Sequence, residues 1–213
     1  MTDHWSERAE AYRQSKPHSQ GADLDLVVEW AAGCRTAIDV ATGGGHVARR
    51  LREAGLQVVT TDAAPGMQPD VVCRGEDLQF ADSSFDVVVC RVAAHHFADV
   101  RAAVREMARV AVDRVLVVDN LYMDEAAEEA DRIRDPSHVR NYTEAQWRRF
   151  LSDAGLEPEE VRVFDFPIEF EPWLERAGCE GEEAERVREL AAERITDGWI
   201  RLDRIAVKAA KSA

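Results

Sequence analysis

The sequence predicts an α/β fold built on a doubly wound, mostly parallel sheet. Three observations carry that prediction. Thr36 to His46 reads as a short apolar strand, a turn through Thr42, Gly43, Gly44 and Gly45, and the opening of a helix, His46-Val47-Ala48-Arg49-Arg50-Leu51. Strand, glycine turn and helix make the first half of a βαβ unit. A second strand, Gln57 to Asp62, follows and ends on an acid. From Val87 to Cys90 the chain is continuously apolar, as a strand buried on both faces of a parallel sheet requires.

The elements follow in order. Residues 3–14 form an amphipathic helix, with Trp5, Ala9 and Tyr12 at helical spacing. Ser15 to Gly21 is a polar loop with breakers. Asp23 to Ala32 is a helix with Leu24, Val27, Val28 and Ala31 inward, closed by Gly33. Strand one (36–41) leads to helix one (45–54), ended by Gly55, and then to strand two (57–62). Residues 63–70 hold Pro65, Gly66 and Pro69, so they form a loop with at most one helical turn. Strand three covers 71–73 and strand four 85–91. Asp99 caps a helix reaching Ala111, and strand five covers 114–120. An acidic helix (124–134) and a helix capped by Thr143 and closed by Gly155 follow. The chain finishes with strand six (161–166), a helix (182–195) and a last strand (200–207). Repeated β-α units followed by late strands place helices on both faces of one sheet.

At 213 residues the chain is most economically one domain. Its parts are a helical preface (1–35), a core (36–120) and C-terminal helices and strands (121–213). Apolar residues make up 46% and well-mixed charged residues 32%, which excludes a disordered chain. The net charge of −14 argues against nucleic acid and anionic membrane surfaces as partners. No apolar run is long enough to span a bilayer. The N-terminus has no apolar signal region, so a cytoplasmic location with no stable membrane anchor is expected. Cys34, Cys73, Cys90 and Cys179 are scattered without a C-x-x-C pair, so the thiols read as reduced and no metal site is indicated. Oligomeric state is left open.

The glycine turn is a nucleotide site, because a ligand can approach its backbone closely and the helix beyond presents unpaired N–H groups. Gly43-x-Gly45-x-x-Ala48 also fits the dinucleotide fingerprint, which alone is a weak signal. Asp62 stands where a ribose-binding acid belongs. Asp39 separates the alternatives. A carboxylate two residues before the turn repels a pyrophosphate, whereas S-adenosylmethionine has no phosphate and carries a sulfonium and an ammonium.

Asp39-Val40-Ala41-Thr42-Gly43-Gly44-Gly45 resembles motif I of class I S-adenosylmethionine-dependent methyltransferases. The similarity is greatest to the type 11 branch that contains the ubiquinone/menaquinone-biosynthesis enzymes. Further matches are Asp62, the run Glu76 to Asp86, and Val87 to Arg91 leading into His95-His96-Phe97. Together they span roughly residues 36–120. Two other segments, Ser15-x-x-His18-x-x-Gly21-x-Asp23-Leu24 and Asp135 to Arg140, resemble an uncharacterised bacterial subgroup.

The resemblance implies a seven-stranded Rossmann-like sheet of order 3-2-1-4-5-7-6 with the last strand antiparallel. It also implies an N-terminal helical lid and S-adenosylmethionine as cofactor. The cofactor is expected against Asp39, Ala41, Thr42, Gly43, Gly45, Asp62, Ala63, Glu76, Asp77 and Arg91. Two departures stand out. The helix expected after strand two is reduced to residues 63–70, which leaves the adenine side less covered. Arg74 stands where the family has an acid, so Glu76 or Asp77 takes that place or the adenine contact is main-chain. The implied reaction is in-line methyl transfer to a small-molecule acceptor, aromatic or quinone-like compounds among the candidates, giving S-adenosylhomocysteine.

A base is needed only where the acceptor must lose a proton. His95 and His96 follow strand four on the expected substrate side, and an imidazole titrates near neutrality; His95 is preferred, and a loop-holding role competes at both. Arg91 is read either as an anchor for an acidic substrate or as a tie to its loop. Tyr12 and His18 are placed with the lid and Trp173 with an acceptor cavity. Competing functions are a catalytically inactive cofactor-binding protein and an NAD(P)-dependent oxidoreductase.

Overall fold

The computed structural model describes residues 2–14 and 19–211. Helices α1 (Thr2–Arg13) and α2 (Ala22–Trp30) precede the sheet. The alternation then runs β1 (Thr36–Val40), α3 (His46–Glu53), β2 (Gln57–Asp62), β3 (Val71–Val72), β4 (Phe85–Arg91), α4 (Val100–Val110) and β5 (Ala111–Asn120). Helices α5 (Glu125–Arg134) and α6 (Glu144–Asp153) lead to β6 (Leu156–Glu169), α7 (Phe170–Ala177), α8 (Gly181–Leu190), β7 (Ile195–Thr196) and β8 (Trp199–Lys211). The sheet order is β3-β2-β1-β4-β5-β8-β6, with β7 paired to β8. Strands β1 to β5 are mutually parallel, and β8 is antiparallel to both its neighbours. The doubly wound order read from the sequence is present, with β7 as a short eighth strand.

Alternation along the central strands builds two cores. Ile38, Val40, Val88, Cys90, Val115 and Val117 face α4 and α6, where Met107, Trp147 and Leu151 are buried. Ala37, Val87, Val89, Leu116 and Val118 face α2 and α3, against Leu24, Val27, Trp30 and Leu51. A third apolar cluster joins α5, α7 and α8 to the outer ends of β6 and β8 through Ile168, Phe170, Trp173, Leu174, Val187 and Ile200. Among the described residues no helix is long and apolar enough to cross a membrane.

The C-terminal third departs most from the sequence reading. Strand β6 runs fourteen residues rather than six. Pro158 and Pro167 argue for a shorter strand, but β6 is the sheet edge, where a missing N–H faces outward and costs no ladder bond. Pro158 also sits at a register shift against β8. Helix α7 has no counterpart in the reading; its Pro172 falls in the first turn, where its ring is tolerated. The helix read over 182–195 stops at Leu190, and only a 3-10 turn, Ala192–Arg194, continues it.

Helix α6 is opened by a capping box. The Thr143 hydroxyl accepts from the Gln146 N–H at 3.2 Å, and the Gln146 side chain accepts from the Thr143 N–H at 2.9 Å. Thr143→Ala should therefore lower stability by about 0.5–2 kcal/mol in urea titration. Cofactor affinity should be unchanged, since Thr143 is not part of the cleft lining described below. An unaltered midpoint would show that the box contributes nothing.

Candidate functional site

The polar residues of the site stand where parallel strands end. Asp39 lies near the end of β1, Asp62 ends β2, Arg91 ends β4, and Asp119 and Asn120 end β5. Strands β1 and β4 are neighbours at the point where the strand order reverses, the place where open α/β sheets bind ligands. A cleft of about 280 Å³ opens there. The first residue beyond each of these two strands is left-handed, Ala41 at φ 55° and Val92 at φ 54°. For a β-branched residue that is a strained conformation. The Val118 carbonyl holds it by accepting from the Val92 N–H at 2.7 Å.

Two buried carboxylates shape the glycine turn. Asp39 Oδ2 accepts from the Thr42 hydroxyl at 2.6 Å and from the Ala48 N–H at 3.1 Å. Asp62 Oδ2 accepts from the Gly43 N–H at 3.0 Å, and its Oδ1 from the Ala64 N–H at 2.9 Å. Burial outweighs these bonds and pushes the Asp39 carboxyl up to about 6; burial raises Asp62 as well. Gly43 and Gly45 are left-handed, at φ 52° and 74°. A Cβ at either would meet no atom within 4 Å, so the turn is a cradle with open space above it. An open cradle flanked by carboxylates that burial leaves short of compensating charge suits a ligand carrying a sulfonium and an ammonium.

Helix α1 closes one side. It lies over a short 3-10 turn, Pro65–Met67. The Ser6 hydroxyl accepts from the Gly66 N–H at 3.0 Å, Arg13 donates to the Gly66 carbonyl at 3.3 Å, and Ala9, Ala64 and Met67 pack together against Trp5 and Tyr12. The expected loss of cover beside residues 63–70 is corrected here: α1 occupies that side. His46 Nε2–H donates to the Tyr12 carbonyl at 3.0 Å and ties α1 to the glycine turn. In the loop after β3, Glu76 lines the cleft, its Oε1 accepting from the Ala98 N–H at 2.9 Å and from Arg74 at 3.2 Å.

A histidine cluster adjoins α1, the His96 ring meeting that of Trp5 edge-on at 4.7 Å between centroids. The His95 ring nitrogen Nδ1 lies 2.5 Å from Asp119 Oδ1, and the His95 backbone N–H donates to Asp119 Oδ2 at 2.8 Å. A carboxylate accepts, so Nδ1 carries the proton and Nε2 is the basic nitrogen. Burial pulls the His95 pKa down, but the Asp119 charge and hydrogen bond, with Asp131 and Asp135 beyond, outweigh it and leave it raised. His96 Nδ1 donates to the Ser137 carbonyl at 3.1 Å. Burial and the neighbouring His95 push its pKa well below 6.5. Arg91 Nε donates to Asp23 Oδ2 at 2.9 Å, and Arg204 donates to the same oxygen at 3.0 Å.

Of the residues expected from sequence, the cleft lining contains Asp39, Ala41, Thr42, Gly43, Asp62, Ala63, Glu76, Arg91, His95, His96, Tyr12 and Trp173. It leaves out Gly45, which serves as the N-cap of α3, and Asp77, which is exposed. His18 falls outside the described residues. The sequence reading gave no site role to Asp119, Asn120, Arg134, Arg176 or Arg204, and noted Asp135 only as part of the segment 135–140. Asp119 carried a usable signal, an acid at the end of an apolar parallel strand like Asp39 and Asp62. The arginines come from α5, α7 and β8, which no short motif marks. Elsewhere, Glu128, Asp131 and His138 gather potential metal-ligand atoms within 4.8 Å, though the sequence reading named no metal site. Glu128 meets His138 at 3.3 Å and accepts from the Asn141 N–H, while Asp131 accepts from the Asn141 side chain at 2.8 Å.

Comparison with known proteins finds methyltransferases. Residues 38–118 match a family described as a methyltransferase domain. The uncharacterized methyltransferase YcgJ of Bacillus subtilis is 33% identical over 208 residues, covering 86% of this chain and 82% of the relative. Its crystal structure superposes with a TM-score of 0.81 at 27% identity, covering 90% of this chain and 98% of that one. The BH2331 protein of Bacillus halodurans C-125 gives a TM-score of 0.79 at 29% identity, over 91% and 100% of the two chains. A demethylmenaquinone methyltransferase of Corynebacterium urealyticum is 36% identical over 81 residues, 34% of this chain and 35% of that one.

The contact between α1 and the turn is testable at Gly44. A Cβ there would lie 2.7 Å from the Tyr12 carbonyl oxygen and 2.8 Å from His46 Nε2. Gly44→Ala should push α1 outward, so amides of residues 2–14 should exchange faster with deuterium while those of β1 and β4 keep their protection. Unchanged exchange in α1 would show that the helix is not seated by this contact.

Proposed function

Since the chain belongs to the class I S-adenosylmethionine-dependent methyltransferases, we propose that it transfers a methyl group to a small-molecule acceptor in the cleft beyond β1 and β4. The observation that carries this reading is the glycine cradle, open above Gly43 and Gly45 and flanked by the buried carboxylates of Asp39 and Asp62. An aromatic or quinone-like acceptor is the finer reading. The apolar wall of Ile168, Trp173 and Leu202 supports it, as does the likeness to a demethylmenaquinone methyltransferase.

When bound, the cofactor supplies a methyl group already activated on a sulfonium. Asp39, Ala41, Thr42 and Gly43 would hold its cationic end, Asp62 and Ala63 its ribose, and the loop carrying Glu76 its adenine. Asp39 favours positive charge because burial outweighs the hydrogen bonds and the Arg91 charge that support its ionised form. Helix α1, through Trp5 and Tyr12, keeps water from the cleft. What remains for the protein is to orient the acceptor, which can lower a barrier by roughly 7–11 kcal/mol. His95 takes the acceptor's proton on Nε2, with Asp119 fixing the tautomer and stabilising the imidazolium. His96, its pKa pushed down, stays neutral beside it.

Calorimetry tests the cofactor reading. S-adenosylhomocysteine should bind and NAD should not, and Asp62→Ala should weaken binding by about 1.5–3 kcal/mol for each strong hydrogen bond lost. Tighter binding of NAD than of S-adenosylhomocysteine would sink the proposal.

The base is tested by pH. A group that must be unprotonated to act loses activity as pH falls through its pKa, so the acid limb of kcat should have its midpoint above 6.5, because the His95 pKa is raised. Asp119→Asn removes the charge that raises it most and should move the midpoint down. His95→Ala should slow turnover by about 10²–10⁴-fold with cofactor affinity kept. A profile that Asp119→Asn leaves in place would assign the proton transfer elsewhere.

A further inference from the structure

The acceptor side of the cleft carries guanidinium groups without matching carboxylates. Arg134, the last residue of α5, lines the cleft with its guanidinium 4.3 Å over the Trp173 ring, and its Nε donates to the Trp173 carbonyl at 3.0 Å. Arg176 of α7 lines the same wall, half-buried. Among the described residues neither forms an ion pair with a carboxylate, in a chain that has 41 acidic residues to 27 basic ones. Burial disfavours the charged form of Arg176, and the charge of Arg134 disfavours it further. Asp135, which also lines the cleft, is hydrogen-bonded to the Ser137 hydroxyl at 2.5 Å and the Ser137 N–H at 3.0 Å, and the Arg134 charge acts on it without an ion pair between them.

A second pair of arginines lies near. Arg91 and Arg204 both line the cleft and share the one carboxylate of Asp23. Arg204 is buried, and its Nε has no hydrogen-bond partner. Two other acids stand at this end: Asp119 is committed to His95, and Asp135, which lines the cleft, to Ser137. Arg134 and Arg176 are thus cleft guanidinium groups with no carboxylate ion pair among the described residues, whereas Arg74 on the cofactor side is paired with Glu76. A guanidinium presents planar, paired N–H donors that match a carboxylate or a phosphate. The same cleft has apolar surface from Ile168, Trp173 and Leu202, which cluster together.

We propose that Arg176 and Arg134 form an anion subsite, holding a carboxylate or phosphate borne by the methyl acceptor while Ile168, Trp173 and Leu202 take its apolar body. The inference rests on the methyltransferase reading and narrows its aromatic acceptors to those with an anionic group.

The test uses the whole protein saturated with S-adenosylhomocysteine, titrated by calorimetry with 4-hydroxybenzoate, phenyl phosphate and, as neutral control, phenol. At least one anion should bind ten times more tightly than phenol or better, and which one separates a carboxylate from a phosphate site. Arg176→Gln should weaken that anion at least tenfold and leave phenol and S-adenosylhomocysteine unaffected, and Arg176→Lys should recover part of the loss. Because Arg134 also holds the Trp173 carbonyl, Arg134→Lys serves as the second variant and should weaken the anion while keeping the fold. Phenol binding as tightly as the anions, anion binding indifferent to Arg176→Gln, or no saturable binding of either anion would overturn the subsite. S-adenosylhomocysteine affinity is measured first in every sample. Its absence would sink the methyltransferase reading, and its presence without an anion preference would sink the subsite alone.

Discussion

Everything at the site depends on two carboxylates binding backbone and hydroxyl groups from inside the sheet's edge. Asp39 ties the end of β1 to the first turn of α3 through Ala48 and fixes the turn through Thr42. Asp62 ties the same turn to β2 through Gly43. Together they hold three elements in register around a loop whose glycines could otherwise sample many conformations. The arrangement is costly. Raising a carboxyl from an ordinary 3.8 to about 6 corresponds to roughly 3 kcal/mol. Linkage gives the sign: a carboxyl whose folded pKa is the higher stabilises the fold below pH 3.8 and loses that contribution as pH rises through 6. At neutral pH the fold therefore holds a strained negative charge, which an arriving cation relieves.

The cleft carries both signs of charge. Acids belonging to β1, β2 and the loop after β3 line it. Arginines from α5, α7 and β8 line the cleft as well, with His95 and His96 beyond the end of β4, while Arg91 lies near enough to Asp39 for its charge to act on that carboxyl. A net charge of −14 is a property of the whole chain and says nothing about this local arrangement. Low dielectric inside the cleft makes the local arrangement matter more than the average.

Cover comes from outside the core. Helix α1 replaces the helix that the shortened stretch 63–70 does not form, seated by Ser6, Arg13 and the His46–Tyr12 contact. The β6–β8 ribbon runs past the sheet's edge and brings Ile168 and Leu202 beside Trp173 on the acceptor side. The scaffold thus fixes the cofactor end rigidly, while the acceptor end is assembled from elements that the core pattern does not specify.

What the sequence determined by itself is local. Apolar runs with period two, a glycine turn flanked by acids, and caps at Asp99 and Thr143 specify elements through contacts a few residues apart. Hence β2 and β4 fall at the predicted residues, and Asp39, Asp62, His95 and His96 meet at one cleft. Where local rules compete, the reading fell short. Two prolines hid the length of β6 because only the sheet order shows that it is an edge, and α7 went unread. Pairings across long stretches of chain were decided by the tertiary structure alone: Asp119 under His95, Asp23 shared by Arg91 and Arg204, and Arg134 beside Arg176. Charges attract or repel by distance in space, and no spacing along the chain encodes which of them the fold leaves without a partner.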